Sequence, residues 1–107
     1  MTTFDDREKS FEAKYKHDEE LQFKVMARRN KLAGLWAAGK MGLTGADADA
    51  YAKEVVAADF DKPGDDDVLE KIQKDFKARG VSVVDAEIRK ELEHLLPVAK
   101  AQVMKQA

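Results

Sequence analysis

From Leu21 to Met41 the chain reads LQFKVMARRNKLAGLWAAGKM, a stretch without proline that holds the only tryptophan and is the longest run able to form one helix. At about 100° per residue, Leu21, Val25, Leu32, Leu35, Trp36 and Gly39 fall within about 100° of one another, the width of a buried stripe. The spacing therefore predicts a central helix with its core seam on that face. Arg28 projects into the same sector, so its guanidinium must either reach water along its methylenes or be paired with an acid.

The rest of the sequence punctuates itself into helices. Gly42 is placed to end the central helix in a left-handed turn, and Thr44 with Asp47 has the capping-box spacing for a second helix over about Gly45 to Phe60. Ala48, Tyr51, Ala52, Val55 and Val56 would face inward on it. Asp61 to Gly64 form a break, and the acids Asp65 to Asp67 suit the positive end of a third helix carrying Val68, Leu69, Ile72 and Phe76 inward. Gly80 ends that helix near Arg79. Ser82 and Asp85 repeat the capping spacing before a fourth helix with Val84, Ile88, Leu92, Leu95 and Leu96 on one side. Pro97 either kinks that helix or ends it, leaving 98–107 as a last turn or a tail.

Composition narrows the functional classes. A chain of 107 residues with 44% apolar and 37% charged side chains suits one all-α domain, and the absence of cysteine removes disulfides and thiolate metal sites. No signal core or membrane-length apolar run is present, so a soluble, cytoplasmic protein without membrane insertion is expected. The net charge of −2 divides unevenly: residues 1–40 carry nine Lys/Arg against seven Asp/Glu, and residues 41–107 carry ten against fourteen. Lys24, Arg28 and Lys31 share an edge of the central helix, but without interleaved aromatics they form a solvated flank rather than a nucleic-acid surface.

Two motifs tempt and fail. Gly34, Gly39 and Lys40 match a phosphate loop until Met41 stands where the metal-binding hydroxyl belongs, and the motif lies inside a helix instead of after a strand. Asp59-x-Asp61-x-Pro63-Gly64-x5-Glu70 resembles a calcium loop, but Pro63 removes an oxygen ligand and Asp66 replaces an apolar position. His17 and His94 have no evident catalytic partner. Neither an enzyme, a cofactor nor a metal site is expected; a calcium-binding or small-ligand-binding bundle is the alternative reading.

The segment before the central helix is different. Residues 4–20 contain eleven charged residues and four apolar ones, too little surface to offset the ordering entropy, so residues 1–18 are expected to be a flexible arm on a globular domain of residues 19–107. Phe4, Phe11 and Tyr15, at spacings of seven and four, make one ridge when the arm is helical. On a continuous helix that ridge lies about a quarter turn from the seam. It serves either a partner or, if the arm folds back, the domain's own core.

These residues also carry a likeness. The stretches TTFDDREKSFEAK, HDEELQFK, ARRNKL, GLWAA and AYAKEVV, with ADF before the break, resemble the zeta-type inhibitor subunit of alphaproteobacterial ATP synthases over nearly the whole chain. The resemblance implies an all-α four-helix bundle with a flexible N-terminal arm, monomeric when free. It implies that the arm, roughly residues 1–16, becomes helical at a catalytic interface between the alpha and beta subunits of the synthase headpiece, against the rotor. There it blocks ATP hydrolysis. Phe4, Asp5, Asp6, Arg7, Lys9, Phe11, Lys14 and Tyr15 would make the contacts, and the protein would sit peripherally at the inner membrane through the synthase.

Overall fold

The computed structural model describes the backbone of residues 3–61 and 65–106 and the side chains of residues 19–58 and 66–105. Its described residues form four helices: α1 (Thr3–Lys40), α2 (Gly45–Asp61), α3 (Asp65–Ala78) and α4 (Asp85–Gln106). The all-α fold expected from the sequence is therefore present. The central helix begins at Thr3 rather than near Leu21, because nothing between residues 3 and 21 breaks a helical backbone.

Two glycines close their helices as expected, and the hydrogen bonds show how. Gly42 adopts φ 79° while the Leu43 amide donates to the Ala38 carbonyl at 2.8 Å; Gly80 adopts φ 73° while the Val81 amide donates to Phe76 at 2.8 Å. Both are six-residue C-terminal turns that satisfy otherwise orphaned carbonyls. Leu43 and Val81, just past each turn, pack on the core. The start of α2 departs from expectation. Its first turn is closed by the Asp47 amide donating to the Thr44 carbonyl at 3.2 Å, and Gly45 has φ 56°. A left-handed residue at that place turns the chain out of the entry geometry that a Thr44–Asp47 capping box requires.

The core joins Ala33, Ala37 and Ala38 of α1 to Tyr51 and Val55 of α2, to Val68, Leu69, Ile72 and Phe76 of α3, and to Ile88 and Leu92 of α4. The inward faces read for α2 and α3 are the faces they bury. The face of α1 is not the expected one. Arg29, Asn30, Ala33, Gly34, Ala37 and Ala38 are buried, Leu21, Val25, Leu32, Leu35 and Trp36 are half-buried, and Gly39 is exposed. The buried residues centre roughly 160° round the helix from the predicted seam. The reason is proximity. A Cβ on Gly34 would stand 2.7 Å from Ala52 Cα, so α1 and α2 meet backbone to backbone, and small side chains take the closest line. The larger apolar groups fill the flanks, with Trp36 edge-on to Phe76 at 5.9 Å.

On α4 the helix continues through Pro97, and the buried stripe runs Ile88, Leu92, Ala99, Val103. Val84 and Leu96, expected inward, are 67% and 40% exposed. Val84 precedes the helix, and Leu96 opens onto a gap between α4 and α1 lined also by Leu21, Val25 and Met26.

Candidate partner-binding surface

Arg28 Nη1 donates to Gln102 Oε1 at 3.2 Å, and Lys40 Nζ lies 3.8 Å from Glu87 Oε1. These contacts pair the middle of α1 with the end of α4 and the end of α1 with the start of α4, so the two helices are antiparallel. Only Lys105 and Gln106 of α4 lie beyond Met104. At about 1.5 Å per residue they cannot run beside positions 3–16 of α1. The same holds for α2, which passes Gly34 at Ala52 and has nine residues left. A helix of 38 residues is about 57 Å long, and the molecule measures 65 × 25 × 22 Å.

The expected contact residues Phe4, Asp5, Asp6, Arg7, Lys9, Phe11, Lys14 and Tyr15 all lie on this leading part of α1; their side chains lie outside the described residues. Positions 4, 11 and 15 share one stripe of the continuous helix, as the spacing required. At its root, Leu21, Gln22, Val25 and Met26 of α1 and Leu96, Lys100 and Met104 of α4 enclose a groove of about 460 Å³. The sequence reading missed this groove. Its signal was there: positions 22 and 26 continue the 4, 11, 15 stripe by steps of seven and four, and 96, 100 and 104 recur every fourth residue.

The other candidates resolve structurally. Lys40 of the apparent phosphate loop lies 5.3 Å from the Trp36 ring centroid, and its Gly34 is packed on α2. In the calcium-like loop the side chains of Asp59 and Asp61 and residues 62–64 lie outside the described residues; Glu70 is exposed on α3, and no group of three or more His, Asp or Glu with metal-holding geometry occurs among the described residues. His94 is exposed, and His17 is outside the described side chains.

Inside the bundle, Tyr51 Oη donates to Asp75 Oδ2 at 2.8 Å, and Lys71 Nζ reaches the same oxygen at 3.0 Å. Burial, reinforced by the bond to Asp75, pushes the Tyr51 phenol well above its ordinary value. Arg29 donates through Nε and Nη2 to Asn30 Oδ1, at 3.2 and 2.8 Å, in the closely packed face of α1. The Tyr51–Asp75 bond ties α2 to α3, whereas the Arg29–Asn30 and Lys71–Asp75 contacts each lie within one helix. Among the described residues no helix is long and apolar enough to cross a membrane.

The model of the ATPase inhibitor subunit zeta family matches residues 1–102. A solution NMR structure is similar at 47% identity with a TM-score of 0.72, covering 81% of this chain and 99% of that one. No curated protein matches.

Proposed function

The chain belongs to the ATPase inhibitor subunit zeta family, regulatory proteins of the ATP synthase rather than enzymes, and on that premise we propose that its leading segment is the inhibitory element. Residues 1–16, which hold the start of α1 at Thr3, enter a catalytic interface of the headpiece between alpha and beta subunits and against the rotor. Phe4, Phe11 and Tyr15 fill apolar pockets, and Asp5, Asp6, Arg7, Lys9 and Lys14 pair along the sides. Hydrolysis requires that interface to open and close. A helical wedge stops the cycle without competing for ATP.

One observation carries this reading: an unbroken helix sets aromatic positions 4, 11 and 15 on one stripe where α2 and α4 are too short to cover them. In the free protein the segment is labile, since isolated helices of about this length are marginal and its composition supplies little apolar surface. Residues 19–107 are then the anchor, monomeric and cytoplasmic, held at the membrane only through the synthase.

The test is ATP hydrolysis by isolated headpiece. Micromolar protein should inhibit it, deletion of residues 1–16 should abolish inhibition, and the midpoint of thermal unfolding should stay nearly unchanged. Full inhibition by the shortened chain would remove the arm from the mechanism.

A further inference from the structure

Resting on that reading of the arm, we propose that the groove between α1 and the end of α4 is a second seat for the same headpiece, filled by an apolar segment of it that sets a carboxylate against Lys100.

Three observations converge on the groove. The first is continuity: positions 4, 11, 15, 22 and 26 of one helix keep a single stripe, and Gln22 and Met26 are already groove wall. Lys16 and Leu21 are separated by about 8 Å of helix rise, so a cleft that grips residues 1–16 brings its rim onto the groove. The second is apolar exposure. Leu96 is 40% and Met104 55% exposed, while Leu92, Ala99 and Val103 on the adjoining stripe are buried. Large apolar groups left open beside a filled core mark an interaction surface, and thioether side chains such as Met26 and Met104 adapt to a partner's shape. The third is charge. Among the described residues, Lys100 is the sole charged side chain lining the groove and makes no ion pair. A lone cation at the edge of an apolar trough selects an apolar segment flanked by a carboxylate.

The experiment uses the full chain with isolated headpiece, measuring inhibition and the dissociation rate, and thermal unfolding of each variant. Leu96→Glu with Met104→Glu should weaken inhibition about tenfold or more, chiefly through faster dissociation. Lys100→Glu should weaken it several-fold, and Lys100→Arg should behave as the parent. If the double variant unfolds, Lys100→Glu, which changes only an exposed group, decides alone. Groove variants that inhibit and dissociate as the parent does, while Phe11→Asp loses inhibition, would overturn the groove and leave the arm standing. Loss with the groove variants but not with Phe11→Asp would support the groove and remove the arm. A parent chain that neither binds nor inhibits overturns both.

Discussion

At Gly34 a hydrogen atom stands where any other residue would place a carbon against the α2 backbone. Gly34→Ala adds helix propensity of about 1 kcal/mol, but its methyl would sit 2.7 Å from Ala52 Cα, a backbone atom that cannot rotate away. Overpacking of this kind typically costs about 1–3 kcal/mol, so denaturant unfolding should show a net loss of stability. Gly39→Ala meets nothing within 4 Å and should gain about 0.5–1 kcal/mol in the same measurement. The pair separates packing from propensity. Gly34 and Gly39 both stand inside α1, yet only Gly34 is a site of close helix approach, because approach depends on which neighbour arrives and not on the glycine. Tyr51 gives a pH signature. Its phenol is held above its ordinary value in the fold, so the unfolded chain, ionising near pH 10, loses its proton first. The stability it contributes is complete below pH 10 and declines as pH rises beyond it. Thermal melts from pH 9 to 11 should fall more steeply for the parent than for Tyr51→Phe; equal slopes would show that the phenol does not report on folding.

Among the elements, α2 and α3 were legible because each buries one face, and large residues at three- and four-residue steps mark it. Central α1 was harder. It lies between α2 and α4, so positions from Val25 to Ala38 are at least half-buried on most sides, and hydrophobic size no longer points to the closest contact. Alanines 33, 37 and 38 and Gly34 carry that contact, and the buried Arg29–Asn30 pair lies among them. The inward stripe of α4 was legible at Ile88, Leu92 and Leu95 and was lost at Pro97, where the ring forbids one backbone bond without ending the helix. Pro97 is exposed, so its cost to the helix is not offset by buried contact. Pro97→Ala restores a donor to the Glu93 carbonyl and should stabilise the fold by about 1–3 kcal/mol in chemical denaturation, within the penalty for an interior proline. A loss of stability would mean that the proline sets a bend on which the Ala99 and Val103 contacts depend.

The molecule as a whole joins a bundle to a rod, and its radius of gyration of 17.4 Å exceeds the roughly 13 Å of a compact chain this long. The four helices and the common stripe of positions 4, 11 and 15 could be read from the sequence, whereas the groove at its root could not. It needs the antiparallel register of α1 and α4, set by contacts such as Arg28–Gln102 between residues far apart in the chain. That register also makes the rod testable by amide hydrogen exchange. Where α1 lies between its neighbours, from Arg29 to Ala38, opening a backbone bond means disturbing the core, so protection should approach the global stability. Toward Thr3, past the ends of α2 and α4, each bond relies on local helix formation, with a costly nucleus and a composition poor in apolar residues. Protection along this single helix should therefore fall by orders of magnitude from residue 38 to residue 3, and positions 3–16 should become protected when headpiece is added. Uniform protection along α1 in the free chain would show that the leading segment is ordered by the bundle itself, leaving nothing for the synthase to order.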